Sequence, residues 1–444
     1  MNSPGSSIDE PRAIRRLDTR SPTFEAEFAA LSAGSMASVA EVERGVREII
    51  DAIRQRGDDA LVECANRFDG ADCAAVADLA LDRGGLSDAW ESLPRAQRRA
   101  LEEAAQRIER YHRAQLRASW SYTDEFGNEL GQRVTPLDRV GVYVPGGQAA
   151  YPSTVLMTML PAAVAGVTDI VAVMPCAGGP NPLALAALHR AGVGEAYAVG
   201  GAHAVAALAF GTETIRPVDK IVGPGGAWVT EAKRQVFGQT GIDLIAGPSE
   251  ILIVADGTAP VDWMVYDLFS QAEHDALAQS LLLCPDGAYL ERIAGRIEAL
   301  LPGMARRDII ARSLADRGAL IRTRSLAEAL ALANDAAPEH LELAVADPQP
   351  LLDQVRHAGA IFLGHHAPEV MGDYVAGPSH VLPTYGTARF SSPLGVDDFQ
   401  KRSSVIALSK DGASALAQSA SVLARGEGLE AHALAAEARR EDSG

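Results

Sequence analysis

The chain contains few cysteines and no apolar run long enough to span a membrane. Its four cysteines are scattered without Cys-x-x-Cys spacing. That pattern argues against a cysteine-based zinc site and is typical of a reduced, cytoplasmic protein. The segment 1–22 is rich in Ser, Pro and Arg and lacks the apolar stretch of a signal peptide. These absences predict a cytoplasmic protein with no membrane partner.

An excess of positive charge is also absent. The chain carries 40 Lys and Arg against 58 Asp and Glu, which gives a formal net charge of -18 at pH 7. Because the phosphates of nucleic acids bind to basic surfaces, this balance argues against a nucleic-acid partner.

The 444 residues, of which 47% are hydrophobic, are enough for two or three domains with their own cores. Short β-branched runs that end in Gly or Pro turns alternate with helical patterns, which predicts parallel sheets covered by helices. The predicted strands are 140–144, 169–174, 196–199 and 220–222 in a first set, and 251–256, 280–283 and 360–363 in a second. We therefore expect two α/β units joined near 242–250. A mainly helical segment at 39–112 precedes them, and an arm with a helix at 413–425 begins at Ser391.

Several strands of the first set end in glycine-rich segments. Gly permits positive φ and close approach of a ligand, and ligands of open parallel sheets bind at the carboxyl ends of strands. These ends suggest a nucleotide or dinucleotide site, although none matches Gly-x-Gly-x-x-Gly or Gly-x-x-x-x-Gly-Lys-[Ser/Thr]. Ordinary turn chemistry is the alternative interpretation. The segments are Pro145–Gly147, Gly200–Gly201 and Gly223–Gly226.

A candidate metal-binding pair lies in the segment Ser270–Asp275, which follows an apolar run at 263–269 that is typical of a helix. Gln271 and His274 are three residues apart, so on a helix they share one face and can bind one metal ion between them. An amide oxygen beside an imidazole is an unusual ligand pair. The alternative is two exposed polar residues on a helix.

A candidate proton-transfer pair, Glu339 and His340, follows Pro338, which disfavours helix at Ala337 and sets a turn there. Neighbouring side chains point in different directions, so the carboxylate and the imidazole are candidates for two separate proton transfers. An exposed polar pair that caps an element is the alternative. The loop 372–384 offers further Asp and His side chains, and its alternative is turn-forming chemistry.

Taken together, these segments resemble the histidinol dehydrogenase family from about Ile14 to Ala435. The match rests on several separate segments that occur in the same order along the chain. They are Val140–Gly147, Gly247–Glu250, Ser270–His274, Pro338–Glu342, Gly372–Tyr374 and Thr387–Gly395.

The resemblance implies an α/β architecture of two incomplete Rossmann-like α/β/α units with N-terminal helices and a C-terminal helical arm, assembled as a homodimer. The implied domains are a tail or arm at 1–34, a first α/β domain with the zinc and catalytic residues at 35–138 and 249–390, a second domain on the NAD side at 139–248, and an arm at 391–444 that reaches the partner subunit.

The resemblance also implies an activity and its residues. The family oxidises L-histidinol through L-histidinaldehyde to L-histidine in two NAD-dependent steps, the last stage of histidine synthesis, with one zinc ion per subunit. The implied zinc ligands are Gln271, His274, Asp373 and, from the arm of the other subunit, His432. The implied catalytic pair is Glu339 and His340. The implied substrate contacts are Ser249, Gln271, His274, His340, Asp373, Glu427 and His432.

The chemistry of these residue types agrees with that assignment. Because the zinc site would have only one negative ligand, it would stay positive and favour loss of the substrate's hydroxyl proton. His340 would act as the general base in both oxidations. Glu339 would activate the water that converts the aldehyde to the acid.

The positions that contact NAD in the family are only partly matched. Tyr143 is the usual residue, but His203 occupies a position where glutamine is usual and Gly226 one where asparagine is usual. Two amide side chains are therefore missing, and each hydrogen bond they could make is worth about 0.5–1.5 kcal/mol. Since an imidazole can replace one amide and water the other, we expect NAD binding to be weakened or altered, not lost.

Two other functions remain open. A paralogue could oxidise another small polar alcohol on the same zinc scaffold, although the retained Ser249, Glu427 and His432 argue against it. A zinc hydrolase or binding protein without NAD would leave Tyr143 and the Gly-rich strand ends unexplained.

Overall fold

A computed structural model describes residues 14–32, 40–146 and 151–440. Residues 1–13 and 33–34 of the predicted tail at 1–34, and Gly147 of the first Gly-rich segment, lie outside these residues.

The helices and strands fall into three consecutive parts of the chain. The first contains β1 (Arg15–Asp18), α1 (Phe24–Ser32), α2 (Ala40–Arg56), α3 (Asp58–Cys64), α4 (Arg83–Ser92), α5 (Arg95–Arg113), β2 (Trp120–Thr123) and β3 (Glu129–Pro136). The second contains β4 (Arg139–Tyr143), α6 (Pro152–Ala165), β5 (Asp169–Val173), α7 (Pro182–Ala191), β6 (Glu195–Tyr197), α8 (Gly201–Phe210), β7 (Lys220–Val222), α9 (Ala227–Val236) and β8 (Gly241–Ile242). The third contains β9 (Glu250–Ala255), α10 (Val261–Ala272), β10 (Gln279–Cys284), α11 (Gly287–Leu300), α12 (Arg307–Arg317), β11 (Gly318–Arg322), α13 (Leu326–Ala336), β12 (His340–Ala344), α14 (Gln349–Leu352), β13 (Ala360–Leu363), α15 (Glu369–Tyr374), β14 (Gln400–Ala407), α16 (Lys410–Gly426) and α17 (Glu430–Glu437).

The five strands of the second part form a parallel sheet in the order β6-β5-β4-β7-β8. Its strands are buried on both faces, by α4 to α7 on one side and by α2, α3, α8 and α9 on the other. The chain enters at β4, moves outward to β6 and returns to β7. The switch in direction therefore lies between β4 and β7, and ligands of such sheets bind at the carboxyl edge there.

A second parallel sheet has the strand order β1-β11-β10-β9-β12-β13. Helices α10, α11 and α12 cover one face, and α1 and α13 cover the other. His340, the first residue of β12, aligns with Ile251 of β9. The amino ends of these two central strands therefore lie side by side.

The arm begins at a third, antiparallel sheet in which β14 pairs with β3, and β3 with β2. It continues into α16 and α17, which pack against each other. Large apolar side chains, including Leu416, Leu423 and Leu434, are exposed along it. No helix within the described ranges is both long and apolar enough to cross a membrane.

The predicted α/β fold with parallel sheets is confirmed, and the predicted strands are present within a few residues of their expected bounds. One local prediction was wrong, because α10 ends at Ala272 and His274 lies in the turn that follows. The carboxylate of Asp275 accepts the backbone N–H of Leu277 at 2.8 Å, and such a turn competes with continuation of the helix. Gln271 therefore lies in the last turn of α10, and His274 lies in the turn just after the helix.

The division into domains remains a prediction. The packing of the N-terminal helices bears on where residues 35–138 belong. Helices α2 to α5 share their cores with the five-stranded sheet, whereas the predicted division groups 35–138 with 249–390. The periodicity of a helix identifies its apolar face but does not identify the sheet that covers this face.

Candidate active site

The backbone of Glu250 orients the predicted proton-transfer pair. Its N–H donates to Oε2 of Glu339 at 2.8 Å, and its carbonyl oxygen lies 2.9 Å from Nδ1 of His340. Since a carbonyl can only accept, Nδ1 carries a proton and Nε2 is the basic nitrogen of the neutral ring. Nε2 is buried and has no hydrogen-bond partner. The amino ends of β9 and β12 thus hold an imidazole with its basic nitrogen unpaired.

Two carboxylates of α15 flank this imidazole. Oε1 of Glu369 lies 3.7 Å from Nδ1 of His340, and Oδ1 of Asp373 lies 3.6 Å from Nε2. One ligand atom from each of His340, Glu369 and Asp373 lies within 4.8 Å of the other two. A group of this kind can hold a divalent metal ion.

Gln271 provides the strongest sign that a polar ligand belongs in this site. Its side chain is completely buried, yet neither its amide oxygen nor its amide nitrogen has a hydrogen-bond partner. An unpartnered buried amide destabilises the folded state by about 1–3 kcal/mol. Helix α10, which carries Gln271 near its end, packs against α15, which carries Asp373. The amide is therefore an available ligand near the carboxylate.

His274 completes a set of donors that fits zinc. Its Nδ1 lies 3.3 Å from the backbone oxygen of Gln271, which leaves Nε2 as its free ring nitrogen. Burial opposes ionisation of Asp373, but interactions with His340, and smaller ones with His380 and His274, lower the pKa of its carboxyl group. Amide oxygen, imidazole nitrogen and carboxylate oxygen are all donors that zinc accepts.

Burial and mutual repulsion set the protonation of the carboxyl groups. Burial raises the pKa of Glu339 to about 8 and that of Glu369 to about 8. Burial opposes the charge on His340, but the carboxylates of Glu369, Glu339 and Asp373 together raise the pKa of His340 well above its usual value. Three carboxyl groups therefore surround one imidazole in a buried site, and a bound cation would favour their ionised forms.

Three further carboxyl groups around the cluster were not predicted: Glu369 itself, Glu342 and Asp267. Oε1 of Glu342 accepts the backbone N–H of Glu369 at 2.7 Å, and burial raises the pKa of Asp267 to about 7. Their spacing could have revealed them. Glu342 is two residues from His340 on a strand, while Glu369 and Asp267 lie four residues before Asp373 and Gln271 respectively.

His380 connects this cluster to the other sheet. Its Nδ1 lies 3.1 Å from the backbone oxygen of Asp373, and its Nε2 lies 3.0 Å from Oγ1 of Thr154. Thr154 is in the first turn of α6, which follows β4 at the carboxyl edge of the five-stranded sheet. The amino edge of one sheet and the carboxyl edge of the other therefore face the same region.

The three predicted cofactor positions lie at that carboxyl edge, in different surroundings. The Tyr143 hydroxyl accepts the N–H of Gly201 at 3.1 Å, and burial raises the pKa of Tyr143 to about 12. His203 is buried with Nε2 3.0 Å from a carboxylate oxygen of Asp69. Gly226 precedes α9, and no heavy atom lies within 4 Å of the position that its Cβ would occupy.

The remaining predicted residues are separate from the cluster or beside it. Ser249 is half-buried just before β9, and its backbone oxygen accepts the N–H of Gln279 at 2.9 Å. Glu427 and His432 are exposed on the arm, and in the described part of the chain neither belongs to the metal-ligating group of the cluster. One chain thus brings together Glu339, His340, Gln271, His274 and Asp373, and leaves the two arm residues outside.

Fold and site define a class: an α/β enzyme with a buried His–carboxylate cluster that faces the carboxyl edge of a second parallel sheet. The family model described as histidinol dehydrogenase matches residues 33–440. Histidinol dehydrogenase from Dechloromonas aromatica is 56% identical over 97% of this chain and 100% of its own length, and that from Chromobacterium violaceum is 58% identical over 96% and 99%. The crystal structure of histidinol dehydrogenase from Elizabethkingia anophelis has a TM-score of 0.91 and 32% identity, covering 96% of this chain and 98% of that one. The chain belongs to the histidinol dehydrogenase family and is an oxidoreductase.

Proposed function

We propose that this chain oxidises L-histidinol through L-histidinaldehyde to L-histidine, using two NAD molecules and one zinc ion per subunit. Membership of the family supports the reaction. The observation that carries the zinc requirement is the buried, unpartnered amide of Gln271 beside the His–carboxylate cluster.

Gln271, His274 and Asp373 of one chain, with His432 of the partner subunit, would hold the zinc ion. These ligands include a single negative group, so bound zinc would supply positive charge that favours ionisation of a substrate hydroxyl. The exposure of His432 on an arm that also carries exposed apolar side chains supports a homodimer in which each arm covers the other subunit. Ser249 and Glu427 are the remaining proposed substrate contacts.

His340 would accept the proton in each of the two oxidations, while NAD accepts the hydride. Its Nδ1 donates to the carbonyl of Glu250, so Nε2 is the nitrogen that would accept this proton. The charge of a bound zinc ion would offset the carboxylates that raise the pKa of His340 and so favour the neutral, basic ring. Between the two oxidations the aldehyde must add water. Glu339, fixed by the N–H of Glu250 and with its pKa raised to about 8, would orient and deprotonate that water.

The position of the cluster also supports a role for the five-stranded sheet in binding NAD. Tyr143, His203 and Gly226 lie at the carboxyl edge of the five-stranded sheet, where parallel sheets bind nucleotides. His380 and Thr154 join this edge to Asp373. A dinucleotide held at this edge by these residues would supply the hydride acceptor for the oxidation.

The substrate can be tested with a panel of amino alcohols that includes L-histidinol, with NAD and zinc-loaded protein, and with products identified by mass spectrometry. We expect L-histidine from L-histidinol and much slower turnover of alcohols without an imidazole. Oxidation of a different alcohol in preference to L-histidinol would identify a paralogue. Absence of NADH with every alcohol would favour a zinc protein without a dehydrogenase activity.

A further inference from the structure

Asp69 and His203 form a buried pair at the carboxyl edge of the five-stranded sheet. Their side chains are 10% and 2% exposed, and Nε2 of His203 lies 3.0 Å from Oδ2 of Asp69. Asp69 ends a π-helical turn that follows α3, and Gly70 closes this turn in the left-handed conformation with a φ of 64°. The pair therefore joins the N-terminal helices to the start of α8.

The same carboxylate oxygen also holds the backbone where α8 begins. Oδ2 of Asp69 accepts the N–H of Gly200 at 2.9 Å, and the next N–H, that of Gly201, donates to the hydroxyl of Tyr143 at 3.1 Å. Gly201 has a φ of 61°, and a Cβ there would lie 3.0 Å from Cε1 of His203. The carboxylate of Asp69 thus fixes the backbone of Gly200 and the imidazole of His203, and the phenol of Tyr143 holds the next N–H, that of Gly201.

This arrangement has an electrostatic consequence. The amino end of a helix attracts anions, and in a nucleotide-binding sheet it commonly contacts phosphate. At α8 that position is already filled by the carboxylate of Asp69. A second anion placed there would be repelled, so the phosphates of a dinucleotide would have to bind elsewhere along the edge.

We propose that Asp69 and His203 are positioning residues of the dinucleotide site, which act by holding Gly200, Gly201 and Tyr143 in place and do not bind the cofactor themselves. This proposal rests on the proposed function, since it assumes that a dinucleotide binds at this edge. It assigns to His203 a role different from the cofactor contact that the family resemblance implies.

The test measures NADH binding by fluorescence titration of the zinc-loaded protein, alongside L-histidinol binding by calorimetry. Asp69→Ala and His203→Ala should raise the Kd for NADH about tenfold, because each leaves part of the α8 start unsupported. His203→Gln should stay within about threefold of the parent, because an amide N–H can still donate to Asp69. His189→Ala, which removes an exposed histidine from neighbouring α7, should have no effect.

The two measurements separate positioning from general damage. Unchanged binding of L-histidinol together with weaker NADH binding supports the proposal. NADH binding by Asp69→Ala and His203→Ala equal to that of the parent overturns it, as does equal weakening of both ligands. If Asp69→Ala does not fold, the comparison of His203→Ala with His203→Gln decides, and equal weakening by both overturns the proposal. A parent protein that binds no NADH would overturn the pair's role together with the NAD part of the proposed function.

Discussion

Gln271 and Gln279 are both buried, but only one has a partner for its amide. Nε2 of Gln279 donates to the backbone oxygen of Leu31 at 2.7 Å, whereas both amide atoms of Gln271 are unpartnered. Gln271→Leu should therefore abolish zinc binding yet raise the free energy of unfolding of the metal-free protein by about 1–3 kcal/mol. Zinc content by mass spectrometry and denaturation in chelator measure the two effects.

Gln279→Leu is the matched control for this prediction. It removes the side-chain donor to the backbone carbonyl of Leu31. We therefore expect it to lower the free energy of unfolding by about 1–3 kcal/mol while zinc is retained. A Gln271→Leu protein that keeps one zinc per subunit would show that the amide is not a ligand.

The buried carboxyl groups predict a pH dependence of stability. The pKa values of Glu339 and Glu369 rise from 4.5 to about 8 on folding, so the folded state binds more protons than the unfolded state between these values. The contribution of these two groups to the free energy of unfolding of the zinc-free protein should therefore be greatest below about pH 4.5 and should fall as the pH rises from there to about 8.

Glu369→Gln removes one of these titrating groups. The slope of unfolding free energy against pH should become shallower by up to about 1.4 kcal/mol per pH unit, which chemical denaturation at several pH values measures. Glu298→Gln, at an exposed position of α11, should leave the slope unchanged. A slope equal to that of the parent in Glu369→Gln would mean that Glu369 is already ionised when buried.

At the scale of elements, the loop after β7 bears on the proposed dinucleotide site because it contains Gly223 and Gly226. Gly223 has a φ of 114°, and a Cβ there would lie 2.1 Å from the backbone oxygen of Tyr143, so only glycine fits. Gly226 is different, because its φ is -67° and the space around it is open. The glycine at 226 is therefore not required by the backbone.

Gly226→Asn should consequently be accepted without loss of stability and should tighten cofactor binding. The added amide can restore one hydrogen bond, which predicts a Kd for NADH about 2- to 12-fold lower. Gly226→Ala is the control, since it adds a Cβ without an amide and should leave the Kd unchanged. A Kd that does not fall in Gly226→Asn would place the dinucleotide away from the start of α9.

The strands could be predicted because buried parallel strands are short, apolar and followed by glycine, as at Val140 to Val144. The packing of α2 to α5 could not be predicted, because the hydrophobic periodicity of a helix shows which face is buried but not which sheet covers it. Glu339, His340 and Asp373 could be identified as candidate site residues from the motifs that resemble the family, and the structure brings them together. The pair Asp69–His203 could not, because its members are 134 residues apart and follow no local pattern.

At the scale of the whole molecule, the position of His432 predicts how the active site is assembled. His432 is exposed on α17, and the proposed zinc site needs a ligand from the partner subunit. A His432→Ala chain and a Gln271→Ala chain, each nearly inactive, should regain up to about a quarter of parental activity when unfolded together and refolded as mixed dimers. One of the two sites in a mixed dimer then has all its ligands.

The control is each variant refolded alone, which should stay inactive. Mixed dimers, identified by mass spectrometry, without recovered activity would mean that His432 acts within its own subunit or not at all.

The measurement that tests the central claim most directly is the amount of NADH formed per L-histidinol consumed, by zinc-loaded protein and by protein treated with a chelator. We predict two NADH per L-histidinol with zinc, and loss of the reaction on chelation that added zinc reverses. One NADH per substrate would contradict the role of Glu339 in hydrating the aldehyde. No NADH from a zinc-loaded dimer would contradict the proposed function itself.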